Sequence, residues 1–130
     1  MTGNNVLLDT NVVIDLFKGD QQILAFLEKQ QTVYIPSAVL GELYLGAYRS
    51  ANEQKHLQQI ASFLLQCTVV NADKTIAERY GKVKAELLRK GKPIPENDIW
   101  IAATALQFNL PLYTNDKHFE EVDVLTTVKG

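Results

Sequence analysis

Four carboxylates stand where the neighbouring residues do not call for them. Asp9 closes the apolar run Val6-Leu7-Leu8, and Glu42 sits among Val39, Leu43 and Tyr44. Asp98 precedes Ile99, Ile101 and Ala102, and Asp116 follows Leu112-Tyr113-Thr114. Each has a plain reading on its own. Asp9 is a helix N-cap, worth about 1 kcal/mol; Asp98 is a first-turn acid favoured by the helix dipole; Glu42 is a solvated helix residue; Asp116 is half of an Asn-Asp turn. Brought together they would form a chemical group, because crowded carboxylates repel and their pKa values rise unless a cation joins them. Such oxygen donors suit Mg²⁺, with Mn²⁺ as the alternative. Those ions activate water and stabilise the charge that develops on a phosphodiester during hydrolysis. Other chemistries are poorly supplied. His56 and His118 lack cysteine companions for zinc, and there is no Gly-rich phosphate loop of the Walker type.

The elements that would carry these acids alternate along the chain. Val6 to Leu8 reads as a buried strand of a parallel sheet. Asn11 to Lys18 reads as a short helix stopped by Gly19. Asp20 caps a second helix that faces inward through Ile23, Phe26 and Leu27. Thr32 to Ile35 is a second strand, and Pro36-Ser37 opens a helix to about Tyr48. Asn52 caps a helix with Leu57, Ile60, Ala61 and Leu64 at helical spacing, and Cys67 to Val70 is a third strand. Asp73 caps a long helix to Lys90, with Ile76, Tyr80, Val83 and Leu87 as its buried stripe and Gly91 as its C-terminal cap. Asn97 begins a helix through Phe108. Leu112 to Thr114 is a fourth strand and Val124 to Thr126 a fifth. This alternation predicts an α/β fold, a parallel sheet of about five strands with helices on both faces. Sites in such folds lie outside the C-terminal ends of the strands, which is where Asp9 and Asp116 fall.

Composition sets the remaining bounds. The 130 residues, 46% hydrophobic and 22% charged, suit a single domain able to bury a core without disulfides. The formal charge of −2 excludes a strongly basic, indiscriminate nucleic-acid binder, and the hydrophobic content excludes a disordered chain. Cys67 is the single cysteine, so no internal disulfide and no multi-cysteine zinc site is available. Met1 to Asn5 lacks the basic start of a secretory leader, and the densest apolar stretch, Ile99 to Leu106, is far short of a membrane span. A soluble, cytoplasmic protein with no membrane partner is the expectation.

Four stretches, in this order, resemble the motifs of PIN-domain ribonucleases: Leu7-Leu8-Asp9-Thr10-Asn11-Val12-Val13-Ile14-Asp15, then Ile35-Pro36-Ser37 with Gly41-Glu42-Leu43, then Asn97-Asp98-Ile99-Trp100-Ile101-Ala102-Ala103, then Leu112-Tyr113-Thr114-Asn115-Asp116 with Phe119. The compact chain is most similar to the VapC toxins of toxin–antitoxin pairs. The resemblance implies a three-layer α/β/α sandwich over residues 1–130. It also implies a metal-dependent endoribonuclease in which Asp9, Glu42, Asp98 and Asp116 hold the cation and a water attacks a phosphodiester in line. Thr10, Asn11 and Thr114 match the supporting positions, with Glu96 a less certain neighbour and Asp15 a residue of the helix face. The substrate it implies is a structured RNA, with transfer RNA and a ribosomal RNA loop both compatible. The partners it implies are a second copy of the chain and a cognate VapB-like antitoxin that covers the toxin groove and binds operator DNA.

Charge is unevenly spread. From Lys74 to Lys92 seven basic residues face two acids, a local balance of +5. Arg89, Lys90 and Lys92 lead from this strip into the loop before Asp98, and with Lys117 they are the candidate phosphate contacts; a solvated helix face is the plainer alternative. Tyr48 and Trp100 are candidate partner contacts, and His118, near the last acid, is a candidate substrate contact with a surface-turn histidine as the plainer reading. Two rival functions remain open at this stage. A haloacid-dehalogenase-like phosphatase would use Asp9 as nucleophile but needs a second acid where Asn11 stands. A non-catalytic regulatory module of the receiver type needs an acid after the third strand, where Asn71 stands.

Overall fold

The computed structural model describes residues 4–129; Met1 to Gly3, part of the stretch read for a leader, lie outside them. Five strands, β1 (Asn5–Leu8), β2 (Thr32–Pro36), β3 (Thr68–Val70), β4 (Leu112–Tyr113) and β5 (Thr127–Val128), form one sheet in the order β3-β2-β1-β4-β5. Every pairing is parallel. Six helices connect them: α1 (Thr10–Phe17), α2 (Gln21–Glu28), α3 (Ser37–Tyr48), α4 (Glu53–Leu64), α5 (Lys74–Lys90) and α6 (Glu96–Gln107), with a 3₁₀ turn at Lys117–Glu121.

The central strands show why the sheet is interior. Val6, Leu7 and Leu8 of β1 and Leu112 of β4 have no exposed surface, as a strand covered on both faces requires. Each such side chain contributes about 1.5–3 kcal/mol through burial. Helix α6 is apolar nearly all round. Ile99, Ile101, Ala102, Ala103, Thr104 and Ala105 are all buried, the pattern of a helix surrounded by other elements. It packs chiefly against α5, and also against α3. Of the predicted α5 stripe, Ile76, Val83 and Leu87 are buried, while Tyr80 is only half-buried. Gly91 ends α5 at φ +69, a left-handed position that glycine occupies without penalty.

Two local expectations change. Asn52 precedes α4, but its side chain makes no capping hydrogen bond. The fifth strand lies at Thr127–Val128 rather than Val124 to Thr126. Val124 is 85% exposed and takes φ +59, so it finishes a turn. Pairing starts only where Leu112 meets Thr127. Among the described residues no helix is long and apolar enough to cross a membrane.

The strand order matters for function. From β1 the chain proceeds outward through β2 and β3, then returns to the other side of β1 for β4 and β5. The reversal leaves a crevice between the C-terminal ends of β1 and β4, where sheets of this kind bind ligands.

Candidate active site

Asp9 leaves β1 at that crevice and caps α1. Its Oδ1 accepts from the Thr10 amide at 2.7 Å, and its Oδ2 accepts from the Thr114 hydroxyl at 2.7 Å. The N-cap reading of Asp9 holds through the Thr10 amide, and the second carboxylate oxygen is held by Thr114. Thr114 also accepts from the Asp116 amide at 3.0 Å, so one hydroxyl ties the end of β1 to the turn that carries the last acid. Thr10 has a parallel role. Its amide serves Asp9 and its hydroxyl donates to Glu42 Oε1 at 2.8 Å, joining α1 to α3. Asp9, Thr10 and Thr114 are all buried, which fixes this frame; Asn11 is exposed on the first turn of α1.

Asp98 comes from the first turn of α6, and Asp116 caps the 3₁₀ turn by accepting from the His118 amide at 2.9 Å. The His118 ring lies between these two acids, its Nδ1 3.1 Å from Asp98 Oδ2 and 3.1 Å from Asp116 Oδ1. One donor atom from each of Asp98, Asp116 and His118 falls within 4.8 Å of the other two, close enough to share a single cation. His118 is thus part of the cluster, and the turn-histidine reading gives only its backbone position. The signal available in the sequence was its place two residues after Asp116, where a capped turn folds the side chain back.

Electrostatics join all four acids. Burial raises the Asp9 carboxyl above its usual range, against the opposing hydrogen bonds from Thr114 and Thr10, and the charges of Asp98 and Asp116 push the same way. Burial also raises Asp98, opposed by the hydrogen bond to His118 and reinforced by Asp116 and Glu42. Each acid therefore feels at least one other, the condition in which a bound cation lowers the energy of the whole group. The donors are hard oxygens with one imidazole nitrogen, a set that accommodates Mg²⁺ or Mn²⁺.

Other candidates sit elsewhere. Glu96 turns away from the cluster to α5, where Lys84 Nζ lies 2.7 Å from its Oε2 and the Tyr80 hydroxyl donates to its other oxygen. Tyr80 stacks on Trp100 with ring centroids 4.2 Å apart, so Trp100 has an internal partner. Tyr48 is 60% exposed. Asp15 is half-buried on α1. Within the basic strip, Lys90 Nζ is held by the Glu121 carbonyl at 2.6 Å and lies 3.4 Å from Asp123, and Lys84 is paired with Glu96. Arg89 and Lys92 are exposed, and exposed Lys117 adjoins Asp116 in the chain. Burial pushes the Cys67 thiol up to about 11, which removes it as a nucleophile.

The chain belongs to the PIN-domain family, whose model matches residues 6–125. Relatives within that family include VapC proteins. Ribonuclease VapC2 of Haemophilus influenzae is 37% identical over 93% of this chain and 94% of that one. The tRNA(fMet)-specific endonuclease VapC of Shigella flexneri is 33% identical over 93% and 94%. Among solved structures, VapBC2 of Rickettsia felis bound to a promoter DNA fragment superposes with a TM-score of 0.90 at 29% identity, over 96% of this chain and 98% of the other.

Proposed function

We propose that this chain is the toxin of a VapBC-type pair, an endoribonuclease that depends on Mg²⁺ or Mn²⁺ and hydrolyses a phosphodiester in a structured RNA. One observation carries the reading: four carboxylates from four different elements share one electrostatic neighbourhood at the crevice between β1 and β4. Asp9, Glu42, Asp98 and Asp116 are the residues that would hold the cation. When bound, the cation supplies a water nucleophile at neutral pH and neutralises charge developing on the phosphate. The chain's own contribution is position. Thr10 and Thr114 lock Asp9 and set Glu42 and Asp116 around it, so little reorganisation accompanies the reaction. Lys117 stands beside the site as a contact for the substrate backbone, with Arg89, Lys90 and Lys92 extending the basic surface. Transfer RNA is the favoured substrate class, in keeping with the relative named for tRNA(fMet).

The antitoxin partner follows the VapBC complexes among the similar structures. A mainly apolar groove of about 540 Å³, with Ile14, Phe17, Leu43, Ala47 and Ile60 in its lining and Lys18 and Lys55 among its polar residues, includes Glu42, so a segment seated there would reach one of the four acids. We place the working protein in the cytoplasm, as a dimer of the chain with its antitoxin.

The test is incubation of antitoxin-free protein with total RNA, with and without Mg²⁺ or Mn²⁺. Cation-dependent cleavage is expected, and Asp9→Asn abolishes it while the variant stays folded by circular dichroism. Intact RNA with the wild-type protein, or undiminished cleavage by Asp9→Asn, contradicts the reading.

A further inference from the structure

We propose that His118 is a nitrogen ligand of the cation site, donating Nδ1 alongside the carboxylates of Asp98 and Asp116. The inference rests on the cation-dependent reading above and adds a residue of a different chemical kind to the acidic set.

The spacing is that of neighbouring ligands. Donors bound at about 2.1 Å in adjacent corners of an octahedron stand about 3.0 Å apart. The His118 Nδ1 is 3.1 Å from one oxygen of each acid. The backbone builds this placement. The Asp116 carboxylate accepts from the His118 amide, and the next residue, Phe119, is 1% exposed and anchors the turn in the core. Without a cation the ring is held by its hydrogen bond to Asp98 and its contact with Asp116, and its side chain is half exposed, so the nitrogen is open to an entering ion. An imidazole in the donor set shifts preference from Mg²⁺ towards Mn²⁺ relative to carboxylates alone.

The experiment is a Mn²⁺ titration of the purified full chain, read by continuous-wave EPR for affinity and by pulsed EPR for ¹⁴N coupling to the metal. Wild type, His118→Ala and Asp98→Asn are compared, with a parallel Mg²⁺ competition. Wild type should show the coupling of a directly bound imidazole. His118→Ala should lose that coupling and bind Mn²⁺ at least about tenfold more weakly, with a smaller loss for Mg²⁺. The variant keeps the turn, because Asp116 caps it through a backbone amide, and thermal melting checks this. The assignment is overturned if Asp98→Asn weakens Mn²⁺ binding while His118→Ala binds as wild type does, or if the ¹⁴N coupling survives in His118→Ala. In both cases the cation site itself stands. A wild-type chain that binds no Mn²⁺ overturns the cation reading instead.

Discussion

At the scale of single residues, the two buried threonines connect the site. Thr114 donates to Asp9 and accepts from the Asp116 amide, so its hydroxyl has both roles filled. Thr114→Val keeps the shape and removes both bonds. Hydrogen bonds to a charged group contribute about 1.5–3 kcal/mol, and the buried Asp9 would lose its strongest counterweight to desolvation. We expect Thr114→Val to lose about 2 kcal/mol in urea unfolding at pH 7 and to cleave RNA far more slowly, while Thr114→Ser retains both properties. A variant as stable and as active as wild type would show that the relay is incidental. The sequence offered Thr114 as a matching motif position; it could not show that the hydroxyl joins two strand ends 105 residues apart, since hydrogen-bond partners depend on sheet order.

At the scale of elements, caps were the most legible feature because they depend on adjacent residues. Asp73 accepts from the Ile76 amide at 3.0 Å and from the Thr75 hydroxyl at 2.8 Å. These bonds, the Ile76 amide first, hold its carboxyl below the usual range. A depressed carboxyl stabilises the fold at pH values above its unfolded pKa, and that contribution is lost as pH falls through the folded pKa. Asp73→Ala should therefore melt below wild type at pH 7, and the gap should close in acid below the ordinary carboxylate range. A gap that stays constant with pH would mean the cap acts through shape alone. The position of β5 was less legible. Val124 and Leu125 look like strand residues, yet the exposed Val124 adopts a positive φ. Where pairing begins depends on the partner strand and on the turn between, neither of which is local. Helix α6 was placed correctly by its Asn97-to-Phe108 reading to within a residue. Its burial on nearly every side needed the packing of α5 and α3 around it.

At the scale of the whole molecule, the cluster is a source of stress that a ligand relieves. Burial and mutual repulsion raise Asp9 and Asp98 above the ordinary carboxylate range, so ionising them at neutral pH works against the fold. A cation that binds only the native state adds about 2.7 kcal/mol at a hundred times its Kd. The melting temperature of the antitoxin-free chain should rise by several degrees with Mn²⁺, and the rise should be lost in Asp98→Asn. An equal rise in that variant would place the cation elsewhere. The formal charge of −2 fits this picture: 13 basic residues face 15 acids, and setting aside the four clustered acids leaves a small positive excess.

The sequence by itself determined the alternation of elements and the side-chain caps at Asp9, Asp20 and Asp73, and it singled out four acids as candidates. Those features follow from apolar periodicity and from chemistry between near neighbours. The tertiary structure decided what the acids could do together. The reversal of strand order between β1 and β4 gathered Asp9 and Asp116 at one crevice, and the threonine bridges fixed their orientation. The structure also sent Glu96 to α5 and brought the His118 ring between two acids. A side chain's partners are set by which backbone segments the fold makes adjacent, and that is a property of the assembled sheet rather than of any one stretch of chain.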